Sequence, residues 1–331
     1  MWYDVLKLVG GLVVLLIGGE FLVRGASNMA YSFQITPLVV GLTIVAFGTS
    51  APELLISVQS ALDGSPDLAM GNVIGSNICN LTLVLGVTAL VYPIIVNDNS
   101  IKIDWMMTMG SSILLFFFIS RDFMLDKFEG VIFVLILVIY SYFLIEMSRR
   151  ETREKMLEES DFDSIDEIPK VSGKKLMQEI GVLIVGAIGL YFGSEWFVGG
   201  AKGIALDFGI DEVLVGLTVV AFGTSLPELV ASSIAAYHRN TDLAIGNLLG
   251  SCIFNNLSIL GVTAIVNDTV SGEGVAVLQN PILTRDFFVM LAVILVILPM
   301  MISKRRIGRG EGVVLLIAYF VYMYFIMPSW G

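Results

Sequence analysis

Two fourteen-residue patterns each occur twice in this chain, with the same separation of 175 residues between the copies. Gly41–Leu54 reads GLTIVAFGTSAPEL and returns in Gly216–Leu229 as GLTVVAFGTSLPEL. Asp67–Asn80 reads DLAMGNVIGSNICN and returns in Asp242–Asn255 as DLAIGNLLGSCIFN. Because 21 of these 28 positions are identical without a gap, the two halves are expected to be copies of one unit that fold alike.

The composition is that of an all-α polytopic membrane protein, with 56% hydrophobic and 15% charged residues against about 25% charged in soluble domains. Apolar windows of about 20 residues, long enough to cross a bilayer, predict ten transmembrane helices. Their approximate spans are 4–28, 37–62, 67–91, 104–120, 128–147, 176–205, 211–237, 242–266, 286–302 and 312–328. A polar linker over 148–175 separates a five-helix repeat in 1–147 from a second in 176–331.

An odd number of helices in each repeat fixes how the repeats are related. Two such units in series must enter the membrane from opposite sides, so they are predicted to be inverted repeats. With the N-terminus outside, fourteen of the 19 Lys and Arg residues fall at cytoplasmic helix ends, as the positive-inside rule requires. We therefore expect a protein of the cell (plasma) membrane, surrounded by lipid, with both termini outside and the 148–175 loop in the cytoplasm.

Several classes of protein find no support in the sequence. No basic patch is present beyond the clusters that flank the membrane segments, which argues against nucleic-acid binding. The chain contains one histidine and no HExxH motif, so an intramembrane enzyme is disfavoured and no cofactor is expected. Cys79 and Cys252 are not repeat equivalents and are predicted to be free thiols packed in helices.

The second and seventh predicted helices each contain a proline followed by a glutamate, Pro52-Glu53 and Pro227-Glu228. A proline inside a helix removes an amide donor and breaks or kinks the helix. Charged groups in a membrane segment are costly and mark functional sites. Carbonyl groups are expected to lose their helical partners, and so to be free for a cation, near Ala46, Gly48, Thr49, Ala221, Gly223 and Thr224.

The third and eighth helices are predicted to face these breaks. Gly71 with Gly75, and Gly246 with Gly250, have the spacing that permits close helix approach. Polar side chains repeat every four residues beside them; we interpret Ser76, Ser251, Asn80 and Asn255 as ligands. Asn72 and Asn247 are left open between ligands and interhelical hydrogen-bonding groups.

All of these candidate ligands offer oxygen, which favours hard cations such as Ca²⁺ and Na⁺ over Zn²⁺ or copper. Two carboxylates would balance one Ca²⁺ or two Na⁺. Exchange of one Ca²⁺ for three Na⁺ would therefore move net charge, at about 2.3 kcal/mol per 100 mV. Protons are expected to compete with both ions, because a carboxyl group removed from water favours its neutral form.

The duplicated motifs, GTSAPEL with GNVIGSNICN and GTSLPEL with GNLLGSCIFN, resemble the repeats of the calcium/cation antiporter superfamily, most closely the prokaryotic sodium/calcium exchangers. The resemblance implies a core of the second, third, seventh and eighth helices, past which the first and sixth slide. It implies that Glu53 and Glu228 bind Ca²⁺ together with main-chain oxygens of Thr49 and Thr224. The implied sodium ligands are Ala46, Thr49, Ser50, Glu53, Ser76, Ala221, Thr224, Ser225, Glu228 and Ser251.

This chain departs from the family pattern at one position. The position of Asn255 is aspartate in many prokaryotic relatives and in the potassium-dependent exchangers, whereas here both Asn80 and Asn255 are amides. This argues against transport of K⁺ and leaves two carboxylates in the centre.

The sequence therefore predicts a Ca²⁺/Na⁺ antiporter, with a Ca²⁺/H⁺ antiporter as the alternative and a cation channel disfavoured by the inverted repeats. Glu20 and Glu195, which recur at the same offset in the first and sixth helices, are left open between a water-filled ion passage and an interfacial pair. The 148–175 loop lacks the glycine of a calcium-binding EF-hand loop and is predicted to be a solvated linker.

Overall fold

The architecture is that of a computed structural model, which describes residues 1–159, 173–209, 221–271, 275–276 and 281–326. Eleven helices of twelve residues or more in this part of the chain account for nearly all of its structure. They are α1 (Trp2–Phe33), α2 (Pro37–Thr49), α3 (Ala51–Leu62), α4 (Leu68–Val91), α5 (Ser100–Arg121), α6 (Lys127–Glu159), α7 (Gly173–Asp207), α8 (Leu226–Tyr237), α9 (Thr241–Val270), α10 (Pro281–Ile302) and α11 (Arg309–Ile326). A single helical turn, Ala221–Gly223, precedes α8.

The prediction of a helical membrane protein is confirmed. Eight of the described helices are long and apolar enough to span a bilayer, and the bent pair α2 and α3 makes a ninth span. The predicted seventh span, 211–237, falls partly outside the described residues, since 210–220 are not described. Its second half is α8.

The largest difference from a predicted boundary is at the end of the fifth helix. The fifth predicted helix was expected to end at residue 147, but α6 continues as a helix to Glu159. Its polar extension suits a solvated helix, because Glu146 and Arg150 form an i,i+4 ion pair with Nε and Oε1 3.1 Å apart. Helix α7 begins at Gly173, and the part of the predicted linker between these helices lies outside the described residues.

Helices α1 and α7 pack against each other along glycines spaced seven residues apart. A Cβ on Gly11 would meet Phe197 N at 2.4 Å, and one on Gly18 would meet Leu190 N at 2.7 Å. A Cβ on Gly25 would meet Leu183 N at 2.9 Å. As the residue numbers of these contacts rise in α1 they fall in α7, so the two helices are antiparallel. Their backbones can touch because glycine has no side chain.

Glycines also bring the backbones of α2 and α9 into contact. The position of a Cβ on Gly246 is 2.4 Å from the carbonyl oxygen of Leu38, and that on Gly250 is 2.7 Å from Leu42 Cα. This confirms the close approach predicted for the second glycine pair. Gly75 has open space beside it among the described residues, but residue 217, the repeat equivalent of Leu42, lies outside them, so the close approach at the first glycine pair stays a prediction.

Four two-residue strands tie the halves together at the ends of the helices. They are β1 (Ile94–Ile95), β2 (Met124–Leu125), β3 (Val275–Ala276) and β4 (Arg306–Ile307). β1 pairs antiparallel with β4, and β2 pairs antiparallel with β3. The strand after the third span of each half thus pairs with the strand between the fourth and fifth spans of the other half, a reciprocal arrangement that is typical of two-fold symmetry.

Candidate functional site

The second span is broken at Ser50. Helices α2 and α3 meet there at 47°, and Pro52 lies in the first turn of α3, where its missing amide is tolerated. The second half repeats this geometry, since Ser225 has φ −89° and ψ 5° against −89° and 6° at Ser50. The motif therefore starts a new helix rather than kinking one, and it places each glutamate in a first turn, where the helix dipole favours a negative charge.

The break leaves fewer free carbonyl groups than the sequence suggested. The Ala46 carbonyl accepts the Ser50 amide at 2.9 Å and the Thr49 hydroxyl at 3.3 Å. The Gly223 carbonyl accepts the Ser194 hydroxyl at 2.7 Å. The prediction that both carbonyls lack partners is wrong, because Ala46 keeps the helical bond from the amide four residues on and the Ser194 hydroxyl replaces the amide lost at Pro227. Each carbonyl oxygen still has a second lone pair.

Glu53 and Glu228 are both buried, at 1% and 0% exposure, and are close enough for their charges to interact. Ser50 from the first motif donates its hydroxyl to Glu228 Oε1 at 3.0 Å, which joins the two repeats directly. Both carboxylate oxygens of Glu53 and the Oε2 of Glu228 have no hydrogen-bond partner within the described part of the chain. Buried polar atoms normally have partners, so these three oxygens mark the place where a cation would complete the structure.

The predicted ligands of α4 and α9 lie in the same interior. Ser76 and Ser251 are buried, as are Asn80 and Asn255. Among the described residues, the Ser251 hydroxyl, the Asn255 amide oxygen and both polar atoms of Asn80 have no hydrogen-bond partner. These side chains therefore carry buried polar atoms that are not used in hydrogen bonds to the described protein.

The remaining predicted ligands lie on the broken helices. Ala46, Thr49, Ser50 and Ser225 are buried, whereas Thr224 is half-buried. Ala221 begins the short turn before α8, and its side chain is outside the described set.

Asn72 and Asn247, which the sequence left undecided, hold helices together. Asn72 Nδ2 donates to Ser57 Oγ at 3.0 Å, and Asn247 Nδ2 donates to Ser232 Oγ at 2.9 Å, which is the equivalent bond in the second repeat. Asn247 Oδ1 also accepts the Thr49 hydroxyl at 3.2 Å. Their amide groups are thus used in fixing the broken helices against α4 and α9.

A chain of buried amides leads away from Asn255, and sequence reasoning missed it. Asn255 Nδ2 donates to Asn77 Oδ1 at 3.0 Å, and Asn77 Nδ2 donates to Asn256 Oδ1 at 2.9 Å. Asn256 Nδ2 then donates to Ser111 and Ser112 on α5, at 3.1 and 2.9 Å. This chain uses the amide nitrogen of Asn255 and leaves its oxygen for the site. Asn77 and Asn256 have no repeated equivalent; the available signal was their polarity in apolar segments.

The two glutamates left open by the sequence differ in their surroundings. Glu195 lines a cavity of about 250 Å³ that reaches Pro52 and Thr224, beside the candidate site. Glu20 instead pairs with the only histidine, His238, at 2.8 Å between Oε2 and Nε2. Glu20 thus links α1 to the end of α8, whereas Glu195 shares a cavity with Pro52 and Thr224 of the two broken spans.

The donor set consists of carboxylate, hydroxyl and amide oxygens, with the Cys79 and Cys252 thiols free and buried. Within the described residues, no three His, Cys, Asp or Glu side chains are grouped so as to hold a metal ion. A centre with two carboxylates and several neutral oxygens suits a hard cation that binds and leaves. The fold and this centre define a membrane protein of the ion-transporter class.

Comparison with known proteins identifies the family. The model of the sodium/calcium exchanger protein family matches residues 4–146 and 179–327, and the chain belongs to this family. It is accordingly a membrane transporter of the calcium/cation antiporter group and not an enzyme, as the sequence predicted.

Related proteins match along nearly the whole chain. CaxA of Alkalimonas amylolytica is 37% identical over 96% of this chain and 97% of its own length. The sodium/calcium exchanger MaX1 of Methanosarcina acetivorans is 31% identical over 96% and 97%. The structure of the sodium–calcium exchanger NCX_Mj soaked with 10 mM Na⁺ and no Ca²⁺ superposes with a TM-score of 0.79 at 28% identity, covering 98% of this chain and 99% of that one.

Proposed function

We propose that this protein exchanges Ca²⁺ for Na⁺ across the cell membrane by alternating access, with three Na⁺ moved per Ca²⁺. The observation that carries the proposal is the hydrogen bond from Ser50 to Glu228, together with a buried Glu53 carboxylate that has no hydrogen-bond partner among the described residues. It brings the charged residues of both motifs to one buried centre. A relative named as a sodium/calcium exchanger, MaX1, supports the choice of these two ions.

The proposed ions bind between the broken helices and α4 and α9. Ca²⁺ is held by Glu53 and Glu228 with main-chain oxygens of Thr49 and Thr224. Na⁺ ions use the same carboxylates with oxygens of Ala46, Ser50, Ser76, Ala221, Ser225 and Ser251, and Asn80 and Asn255 contribute amide oxygens at the centre. Two carboxylates balance one Ca²⁺, whereas three Na⁺ exceed them by one charge, so transport is electrogenic.

The proposed scaffold is ten transmembrane helices in two inverted repeats. Two observations support it. Helices α1 and α7, the first spans of the two halves, are antiparallel. In each of the two ribbons, β1–β4 and β2–β3, a strand that follows the third span of one half pairs with a strand between the fourth and fifth spans of the other half. The ribbons lie at opposite ends of α5, which at 1.5 Å per residue is about 33 Å long. A two-fold axis that exchanges opposite membrane faces lies in the membrane plane, which is the symmetry of inverted repeats.

A contrast between the halves supports alternating access. Thr224 is half-buried beside the cavity that Glu195 lines, whereas its repeat equivalent Thr49 is fully buried. In the proposed orientation, with both termini outside, this cavity leads to the extracellular side. The reverse state would open the route past Thr49 as the rigid pair α1–α7 slides along α2 and α8.

The experiment is tracer uptake into proteoliposomes. Vesicles loaded with Na⁺ and diluted into Na⁺-free medium should accumulate ⁴⁵Ca²⁺, and uptake should rise when valinomycin and K⁺ make the interior positive, because net positive charge leaves with the Na⁺. Uptake that ignores the Na⁺ gradient but follows an imposed proton gradient would assign the protein to Ca²⁺/H⁺ exchange instead. Single-channel currents across a planar bilayer would contradict antiport altogether.

A further inference from the structure

A second polar cavity lies beside the β1–β4 ribbon, away from the central site. Its volume is about 360 Å³, room for about ten water molecules at roughly 30 Å³ each. It is enclosed by the start of α2, the segment after β1, the start of α5, the end of α6 and the start of α9. None of its described lining residues belongs to the central site.

The innermost polar group of this cavity is Asp104, which is 1% exposed. Its Oδ1 accepts the Tyr140 hydroxyl at 2.9 Å. Its Oδ2 is buried and has no hydrogen-bond partner among the described residues, and the Ser100 hydroxyl lies near enough to interact with the carboxylate. A buried carboxylate in which one oxygen lacks a hydrogen-bond partner destabilises the fold, and it needs a cation or a proton to be stable.

Three further carboxylates, Asp98, Glu151 and Asp242, line the wall toward solvent. Asn97 Nδ2 donates to Asp242 Oδ1 and Asn99 Nδ2 donates to Glu151 Oε1, each at 2.8 Å. Both asparagines therefore have an amide oxygen left to accept. Asp98 pairs with two bases outside the cavity, Arg305 and Lys102, which offset its charge. The described lining contains four carboxylates and no Lys or Arg, so the cavity attracts cations.

We propose that this cavity is a second cation site, in which Asp104 binds a hydrated Ca²⁺ directly. The wall carboxylates and the asparagine oxygens bind this ion through its water shell, since no three described carboxylates are grouped closely enough to ligate one metal ion. The buried Asp104 carboxylate together with the wall carboxylates favours a divalent over a monovalent ion. Ca²⁺ also tolerates a mixed shell of carboxylate, carbonyl and water oxygens, which Mg²⁺ does not.

The site is a property of one half of the chain. Pro93 of the first half corresponds to Pro281 of the second, an offset of 188, and at that offset Asp104 corresponds to Ala292. The cavity therefore cannot belong to the duplicated transport centre. It is reached from the membrane face that carries the β1–β4 ribbon, which in the proposed orientation is the cytoplasmic face, so it would sense Ca²⁺ on that side.

The test uses the full-length protein with its central carboxylates removed, Glu53→Gln with Glu228→Gln. Tb³⁺, a luminescent substitute for Ca²⁺, is titrated in detergent, and Ca²⁺ is used to displace it. A Tb³⁺ ion at Asp104 lies next to the phenol of Tyr140, which excites it on irradiation. We expect Ca²⁺-displaceable luminescence that Asp104→Asn weakens at least tenfold and Glu151→Gln weakens severalfold.

The control is Asp63→Asn, which removes an exposed carboxylate that does not line the cavity, and it should leave the titration unchanged. No displaceable luminescence in the double variant, or the same affinity after Asp104→Asn, overturns the proposal. If Asp104→Asn does not fold, Glu151→Gln decides, and an unchanged affinity overturns the proposal. The result is independent of transport, because failure of Na⁺-driven uptake by the native protein bears only on the proposed function.

Discussion

Each central glutamate follows a proline, and the structure gives a physical reason for this order. The proline lies in the first turn of a new helix, where it needs no amide partner. The next residue then projects from a helix N-terminus whose dipole stabilises a carboxylate. The two Pro-Glu motifs could be singled out from the sequence because one is a copy of the other. The Ser194 partner of the Gly223 carbonyl could not be predicted, because it comes from a different helix and meets Gly223 only after folding.

At the residue scale, Asn77 is predicted to set the orientation of Asn255. Its Oδ1 accepts the Asn255 amide, so Asn77→Leu would let that amide turn its nitrogen toward the ions. The loss of one hydrogen bond, about 1 kcal/mol, corresponds to a rise of about fivefold in the KM for Ca²⁺ in ⁴⁵Ca²⁺ uptake.

Asn256→Leu is the matched control for Asn77→Leu, since it interrupts the same amide chain one bond further from the site. It should change the KM less than Asn77→Leu does. An equal or larger effect of Asn256→Leu would show that the chain matters for packing alone.

At the element scale, the glycine contacts between α1 and α7, at Gly11, Gly18 and Gly25 of α1, hold the two helices together as one unit. The seven-residue spacing of Gly11, Gly18 and Gly25 and its repetition in α7 were visible in the sequence. Their partner could not be identified from one chain, because helices far apart in sequence meet only after folding. Element bounds followed from apolar length, except where α6 extends into the polar linker.

Gly18→Ala should damage this pair. Its Cβ would lie 2.7 Å from a backbone nitrogen of α7, so the helices must separate, at a cost of about 1–3 kcal/mol for overpacking. We expect a lower melting temperature and reduced uptake. Gly10→Ala, on the same helix with nothing within 4 Å, should change neither. Equal melting temperatures and uptake in the two variants would contradict the role of these glycines in packing α1 against α7.

The Glu20–His238 contact is predicted to connect the α1–α7 pair to α8 in this conformation. Both side chains are about half exposed, at 46% and 45%, so the pair should contribute less than about 1 kcal/mol. Glu20→Gln and His238→Gln should therefore change the uptake rate by similar small factors, and the double variant should be no worse than either one. Strictly additive effects would mean that the two residues act separately.

At the scale of the whole molecule, inverted symmetry predicts that the two strand ribbons face opposite sides of the membrane. Lys127, near β2, and Lys304, near β4, are both exposed. In intact cells a membrane-impermeant maleimide should label Lys127→Cys and leave Lys304→Cys unlabelled. The native thiols do not interfere, because Cys79 and Cys252 are buried.

Labelling of both positions from outside would contradict the inverted arrangement. The sequence could predict the inversion because an odd number of helices in each half leaves one solution. It could not show how the halves are held together, because the two-residue strands carry no pattern of their own.

The central claim is that Glu53 and Glu228 together hold the transported ion. The most direct measurement is Na⁺-driven ⁴⁵Ca²⁺ uptake by Glu53→Gln and Glu228→Gln proteins in proteoliposomes, beside Glu146→Gln, which removes a partly exposed carboxylate of α6. We predict that each central variant falls to the level of empty vesicles, because either change leaves one carboxylate against a divalent ion, while Glu146→Gln matches the native protein. Substantial uptake by either central variant would contradict the claim.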